Sequence, residues 1–152
     1  MKISNLRRYK AEGRPIFVTF STLKKKTILK DPKIANVVQQ VLLDLENERK
    51  LKLLEYVIMP DHIHLLISER AGYSFEDILR LFKTKSSKEI NKIRNTKGRN
   101  WERRYFDRII RSEDEYRKAI KYIRYNPIKK GLVESSSDYL FSSAFGKELE
   151  DI

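Results

Sequence analysis

Four segments of the chain have the hydrophobic pattern of β-strands. They are rich in β-branched and aromatic residues, and their apolar side chains either alternate with polar ones or form a short run. Strand residues point alternately to the two faces of a sheet, so the pattern also predicts which side chains lie together. The predicted strands are 16–20, 51–58, 62–68 and 105–110.

Three other segments carry apolar residues at helical spacing. The first begins at Asp31-Pro32, a preferred pair for the N-cap and first helical position, and runs to about residue 48. Ser74 is the predicted N-cap of the second helix, and a capping-box pattern that begins at Ser112 predicts the start of the third. Since the residue before a proline disfavours helical geometry, the third helix is expected to end at Asn126, before Pro127.

The resulting order β-α-β-β-α-β-α predicts an α+β protein. Two β-α-β halves of this kind are typical of a ferredoxin-like antiparallel sheet, and we expect its helices to lie on one face. Residues 97–104 are predicted to form a basic loop around the only tryptophan. The last long helix would follow the fourth strand directly.

The length and composition predict one domain across residues 1–152. A chain of this length can bury a substantial core. We interpret 1–14 as a basic N-terminal arm and 146–152 as a polar tail. The absence of cysteine excludes disulfides, thiolate zinc sites and cysteine nucleophiles. There is no membrane-length apolar run and no signal-peptide pattern, so the expected compartment is the cytoplasm, with no membrane partner.

The charge balance favours a polyanionic partner. Lys and Arg number 33 against 21 Asp and Glu, a formal net charge of +12. Neutralising phosphates releases condensed counterions, which favours nucleic acid, although charge alone does not distinguish it from an anionic membrane. The 8 Tyr, 7 Phe and 1 Trp lie among the basic residues, an arrangement suited to stacking on unpaired bases. Most of these rings are nevertheless expected in the core.

Both histidines of the chain lie on one predicted strand. His62, His64 and Leu66 share one face, so two imidazoles project side by side. The spacing suits the binding of one cation, which would need a third ligand from elsewhere. The alternative is a pair of histidines on a solvated sheet face that bind nothing.

Tyr122 and Asn126 stand four residues apart and therefore share a face of the third helix. A tyrosine beside a bound cation is a candidate nucleophile, because the cation lowers the cost of forming the phenolate. Asn126 is a candidate third ligand. The alternative is that Tyr122, like its neighbours Tyr116 and Tyr125, serves in packing or stacking.

Several motifs together resemble a known enzyme family. The segment 59–67, Met-Pro-Asp-His-Ile-His-Leu-Leu-Ile, is similar to the metal-binding core of the single-tyrosine HUH transposases, in which two histidines flank one hydrophobic residue. The segments 101–111 and 122–133 resemble signatures of the branch called REP-associated tyrosine transposases. Residues 14–20 and the pair at 142–143 also fit, so the resemblance covers roughly 14–145.

The resemblance implies an active site and a reaction. His62 and His64 match the two metal-ligating histidines, Asn126 matches the third ligand and Tyr122 the catalytic tyrosine. Asp61 replaces the asparagine that is more usual before the first histidine. The implied cofactor is Mg²⁺ or Mn²⁺, and the implied activity is cleavage and rejoining of single-stranded DNA through a 5′-phosphotyrosine.

The implied partner is single-stranded DNA that folds into hairpins, such as REP-like palindromes. The protein could be a monomer or a homodimer, and in this branch the tyrosine is more often supplied by the same subunit. The alternatives are a catalytically inactive or domesticated structured-DNA-binding protein, an RNA-binding ferredoxin-like domain, and a replication initiator or relaxase. Candidate phosphate contacts are Arg14, Lys83, Lys85, Arg99, Arg103, Arg104, Lys129 and Lys130, with Trp101 as a candidate for base stacking.

Overall fold

A four-stranded antiparallel sheet lies at the centre of the protein. The structure is a computed structural model and describes residues 13–147. The strands are β1 (Ile16–Thr22), β2 (Leu51–Ile58), β3 (His62–Glu69) and β4 (Trp101–Ile109), in the spatial order β2-β3-β1-β4. The helices are α1 (Pro32–Asn47), α2 (Phe75–Arg94) and α3 (Glu113–Lys129). This arrangement confirms the predicted α+β, ferredoxin-like fold.

Three short 3-10 helices complete the described chain, at Leu23–Lys25, Ile28–Lys30 and Ser136–Asp138. Most of the predicted N-terminal arm and polar tail lies outside the described residues. None of the helices within 13–147 is long and apolar enough to cross a membrane.

The helices α1 and α2 begin where the sequence predicts. The Asp31 carboxylate accepts a hydrogen bond from the Lys33 amide at 2.9 Å, with Pro32 as the first helical residue. Ser74 and Asp77 form a reciprocal capping box at the start of α2. These bonds satisfy amides that have no partner inside the helix, so local chemistry sets both starts.

The helices α1 and α2 cover one face of the sheet. The side chains of Val18, Phe20, Ile63 and Leu65 point to this face and are buried with the apolar stripes of both helices. Trp101 joins them, because its ring packs against Phe20 at 5.1 Å between centroids. The main core therefore lies between the sheet and these two helices.

The helix α3 packs on the opposite face, so the prediction of helices on one face is wrong. Ile120 and Ile123 of α3 are buried against Phe17, Val57 and Leu66 of the sheet. Strands β1, β2 and β3 also place buried apolar side chains on this second face, so the sheet needs cover from both sides. The faces of β3 are as predicted, with Ile63 and Leu65 on one side and Leu66 on the other.

The strand β4 begins earlier than the sequence indicates. Trp101 pairs with Thr22 of β1, so the residues predicted to end a basic loop lie in a strand. A register shift between Phe20 and Thr22 precedes this pairing. The strand β4 lies at an edge of the sheet, and Arg103 to Ile109 are all exposed. The first half of β4 therefore has no alternation of apolar and polar residues from which a strand could be predicted.

The helix α3 continues through Pro127 to Lys129, so the predicted end at Asn126 is wrong. Pro127 has no amide hydrogen, so the Ile123 carbonyl receives no bond from it, and the helix nevertheless continues for two more residues. The turn is closed by bonds from the Gly131 amide to the Ile128 carbonyl and from the Leu132 amide to the Pro127 carbonyl, both 2.9 Å. Gly131 has φ +73°, so this is a glycine-dependent C-terminal cap.

Residues 139–143, here called the C-terminal clasp, cover the outer edge of β2. The Ile58 amide donates to the Phe141 carbonyl at 2.8 Å, and the Ser143 amide donates to the Tyr56 carbonyl at 3.0 Å. The Tyr139 hydroxyl donates to the Ile58 carbonyl at 2.6 Å. An edge that would otherwise expose unpaired backbone groups is therefore satisfied.

Candidate active site

His64 lies on the central strand β3, on the face covered by α3. It is only 3% exposed. Its Nδ1 is 2.7 Å from the Thr19 hydroxyl, and the Phe17 ring is stacked on the imidazole at 5.7 Å between centroids. Both contacts come from β1, where Thr19 pairs with His64 in the sheet register. The ring is therefore fixed in orientation by its neighbouring strand.

The other ring nitrogen of His64 is available to a ligand. Its Nε2 is buried and has no hydrogen-bond partner in the protein. Burial, with a smaller contribution from His62, lowers the His64 pKa to about 3, so the imidazole is neutral at physiological pH. A neutral imidazole whose Nδ1–H donates to Thr19 presents a lone pair at Nε2, as metal binding requires.

His62 is oriented by a carboxylate from the preceding turn. Its Nδ1 is 2.6 Å from Asp61 Oδ1. Because an ionised carboxylate only accepts hydrogen bonds, Nδ1 carries the hydrogen. In the tautomer that carries its hydrogen at Nδ1, the lone pair lies at Nε2. The centroids of the His62 and His64 rings are 4.8 Å apart, so the two imidazoles lie side by side, as the strand pattern predicts.

Asn126 provides a buried amide oxygen on the same face of the sheet. Its Oδ1 is buried and has no hydrogen-bond partner in the protein. Within residues 13–147, no three His, Cys, Asp or Glu side chains are grouped to hold a metal ion. A third protein ligand to His62 and His64 must then be of another type. The amide oxygen is a ligand type that Mg²⁺ and Mn²⁺ accept, whereas the two imidazoles suit later transition metals better. This donor set can therefore hold a divalent cation but does not select one.

Tyr122 stands next to His64 and is open to solvent. The two ring centroids are 5.0 Å apart, and the tyrosine is 48% exposed. It borders a cleft of about 420 Å³, here called the β4–α3 cleft, whose lining also includes Phe106, Arg108 and Lys118. A substrate in this cleft would reach the phenol oxygen. The histidines and the tyrosine meet within a single chain.

A buried ion pair attaches α3 to the sheet beside Tyr122. Arg124 donates from Nε to Glu55 at 3.0 Å and from Nη2 to the second carboxylate oxygen at 3.4 Å. The side chains are only 12% and 5% exposed. The Arg124 carbonyl also accepts a bond from the Ser136 hydroxyl at 2.8 Å. These contacts fix the segment of α3 that carries both Tyr122 and Asn126.

Sequence reasoning missed the residues that support the site. Thr19 and Phe17 lie on the same face of β1 because strand side chains alternate. Only the pairing of β1 with β3 shows that this face also carries His64. Asp61 was recognised only as a departure from the family pattern. No local signal links Glu55 to Arg124.

Three of the predicted phosphate contacts lie together on the opposite face of the sheet. Lys83, Arg99 and Arg103 line a groove of about 470 Å³ between α2 and β4, here called the α2–β4 groove. The Lys83 ammonium donates to the Glu102 carbonyl at 3.0 Å and lies 5.4 Å from the centre of the Tyr105 ring. Burial, with Arg99 nearby, lowers the Lys83 pKa.

The other predicted contacts are dispersed. Lys85 lies beside Asp44 and Glu89 on the outer side of α1 and α2, while Lys129 and Lys130 are exposed at the end of α3. Arg14 donates to the Arg111 carbonyl at 3.5 Å. Arg104 is exposed in the first half of β4.

The prediction that Trp101 stacks on DNA is wrong. The side chain is only 1% exposed, and its ring packs against Phe20 and Phe82. The indole Nε1 donates to the Ser86 hydroxyl at 2.9 Å, so the polar end of the ring also has a partner inside the core. In the sequence, Trp101 lies among basic residues, a pattern that indicates an exposed loop rather than a position in the core.

Comparison with known proteins gives the family. A relative from Haemophilus influenzae, named among the REP-associated tyrosine transposases, is 33% identical over 97 residues, which is 57% of this chain and 54% of that protein. The REP-associated tyrosine transposase of Escherichia coli is 25% identical over 142 residues, covering 93% of this chain and 82% of the relative. The chain thus spans about half the length of the first relative and most of the second.

A solved structure has the same fold. It is the structure of a REP-associated tyrosine transposase bound to a REP hairpin, with a TM-score of 0.67 and 23% identity over 87% of this chain and 77% of that one. Residues 15–126 match the family model described as IS200-like transposase. That match spans all four strands and includes both histidines, Tyr122 and Asn126, and the chain belongs to the IS200-like transposase family.

Proposed function

We propose that this protein is a metal-dependent single-stranded DNA endonuclease and strand transferase. One observation carries the proposal. His64 Nε2 and Asn126 Oδ1 are both buried without a partner in the protein, next to the exposed Tyr122. A buried polar atom without a partner costs free energy. The His64 ring contacts Tyr122, and Asn126 lies one helical turn from Tyr122, so both atoms are in a position to be completed by a bound ligand.

His62, His64 and Asn126 are the residues that would hold Mg²⁺ or Mn²⁺. When bound, such an ion supplies polarisation of the scissile phosphate and stabilises negative charge that develops during the reaction. Thr19 and Asp61 contribute by holding the two imidazoles in the orientation that leaves Nε2 free.

Tyr122 is the nucleophile in this proposal. Its phenol oxygen attacks the scissile phosphorus, forming a P–O bond to tyrosine while the P–O3′ bond of the DNA breaks. The phenol proton passes to solvent, and the departing 3′ oxygen takes up a proton to become a hydroxyl. The products are a 5′-phosphotyrosine and a free 3′-OH. A DNA 3′-OH can reverse the attack, so rejoining needs no ATP.

The proposed substrate is single-stranded DNA with a hairpin. The solved relative is bound to a REP hairpin, and the chain's net charge of +12 suits a polyanion. Lys83, Arg99 and Arg103 in the α2–β4 groove are the proposed contacts to hairpin phosphates.

Detection of the covalent adduct tests the proposal. Tyrosine becomes linked to the downstream fragment, so a 3′-end-labelled hairpin substrate transfers its label to the protein on a denaturing gel. The same strand labelled at its 5′ end yields a shortened free oligonucleotide. We expect the adduct with Mn²⁺ and none with EDTA.

Tyr125→Phe is the matched control for Tyr122→Phe. Tyr125 is 57% exposed on the same helix, outside the contacts made by His64. We expect loss of the adduct in Tyr122→Phe and a severe loss in His64→Ala, with Tyr125→Phe similar to the wild type. An adduct in Tyr122→Phe would overturn the assignment. Tight hairpin binding without any adduct would favour the binding-only alternative.

A further inference from the structure

The β4–α3 cleft extends from Tyr122 onto one face of the edge strand β4. Phe106 pairs with Thr19 and Arg108 with Phe17, so both side chains lie on the face that carries His64. This face of β4 therefore presents an aromatic side chain followed by a basic one beside Tyr122.

Phe106 is a large apolar side chain left exposed beside the proposed nucleophile. It is 57% exposed. Its ring meets Phe17 edge to face at 6.4 Å between centroids, and Phe17 in turn contacts Tyr122 at 5.9 Å. The ring is thus supported on one side by residues of the site while much of its surface faces solvent. Base stacking on such a ring contributes about 1 to 3 kcal/mol per base.

The charges around Phe106 favour a phosphate chain. Arg108 and Lys118 line the cleft, and its lining contains no carboxylate. Lys118 is paired with Asp114 at 3.0 Å, but both side chains are 73% exposed, so the pair is weak and its lysine remains accessible to a phosphate.

We propose that the β4–α3 cleft binds the unpaired DNA segment that flanks the scissile phosphate, with Phe106 stacked on a base and Arg108 contacting a phosphate. This inference rests on the proposed nuclease function and specifies its substrate. A duplex base has both faces covered by its neighbours, whereas an unpaired base offers a face to the ring. The cleft of about 420 Å³ is also the size of a small-ligand pocket.

The roles of the two faces of β4 follow from this placement. Arg103 and Tyr105 face the α2–β4 groove on one side, while Phe106 and Arg108 face Tyr122 on the other. The hairpin and its unpaired flank would therefore bind on opposite sides of one edge strand. Phe106 serves as a positioning residue and Tyr122 as the catalytic one.

Binding measurements with two substrates test the inference. The background is Tyr122→Phe in EDTA, so no cleavage occurs and binding is measured independently of the chemistry. The probes are fluorescently labelled DNA, either a bare hairpin or the same hairpin with an unpaired flank. Phe106→Ala should weaken binding of the flanked hairpin about 5- to 150-fold, which corresponds to the loss of one stacked base. It should leave the bare hairpin unchanged.

Two further variants make the result specific. Ile109→Ala removes an exposed apolar side chain from the opposite face of β4 and should leave both affinities unchanged. Phe106→Trp should retain the affinity for the flanked hairpin, because the larger ring still stacks. Quenching of 2-aminopurine in the flank should be present with the tryptophan variant and lost with the alanine variant.

The outcomes separate this inference from the proposed nuclease function. If the wild type forms the adduct but Phe106→Ala binds the flanked hairpin normally, the inference is wrong and the function stands. If no adduct forms yet Phe106→Ala loses affinity only for the flanked DNA, the cleft is a binding site and the nuclease proposal fails. Equal loss on both probes would mean that Phe106 acts elsewhere, and it would overturn the inference.

Discussion

Removing the charge of Arg124 tests whether its ion pair with Glu55 fixes the tyrosine helix. In Arg124→Met the Glu55 carboxylate, 5% exposed, loses both of its hydrogen bonds from the guanidinium. Leaving a buried charge unpaired costs about 3 to 5 kcal/mol. The Arg124 side chain is 12% exposed, so water can reach the site of the ion pair. We therefore expect a cost at the lower end of this range, about 3 kcal/mol.

This loss should be measurable as a shift in thermal unfolding. For a domain of this size, about 3 kcal/mol corresponds to a fall of about 6 to 12 °C in the midpoint. Urea denaturation followed by circular dichroism gives the free energy directly. The double variant Glu55→Leu with Arg124→Met removes both charges, so it should recover most of the lost stability.

Arg117→Met is the matched control, because it is the same substitution on the same helix. Arg117 pairs with Glu113 at 4.0 Å and is 45% exposed, so we expect a loss of about 0.5 kcal/mol or less. Equal losses for Arg117→Met and Arg124→Met would refute the reasoning. So would a double variant no more stable than Arg124→Met alone.

Three other substitutions test separate parts of the structure. Asp61→Asn weakens the acceptor of His62 Nδ1 and should reduce Mn²⁺ affinity about 10-fold or more in calorimetric titration; an unchanged affinity would contradict the orienting role. Trp101→Phe should lower the unfolding free energy by about 1 to 3 kcal/mol, because Ser86 loses its indole donor, with hairpin affinity unchanged. Gly131→Ala should cost about 1 kcal/mol in urea denaturation, since φ is +73° and no neighbouring atom lies near the added Cβ.

Local chemistry made much of the fold predictable. Asp31-Pro32 and the capping box at Ser74 specify helix starts through bonds to residues no more than three positions away. The two faces of β3 follow directly from alternation. The same local reasoning was wrong at Pro127, because the cap at Gly131 closes the helix beyond the proline.

Long-range packing was not accessible in the same way. Trp101 and Ser86 are brought together only when α2 packs against the sheet. Glu55 reaches Arg124 after a register shift between Leu53 and Glu55 in β2, which no sequence pattern marks. The motifs therefore identified His62, His64 and Tyr122, which the structure brings together, whereas the contacts that hold them in place were not predictable.

The C-terminal clasp has a consequence for the timing of synthesis. His62 and Tyr122 emerge from the ribosome well before Ser143, whose amide bonds the edge of β2. Chains elongate at about 5 to 20 residues per second, so roughly 80 residues separate the first histidine from the clasp by about 4 to 16 s. Throughout that interval the clasp cannot cover the outer edge of β2, so the unpaired backbone groups of that edge are open to pairing with another chain.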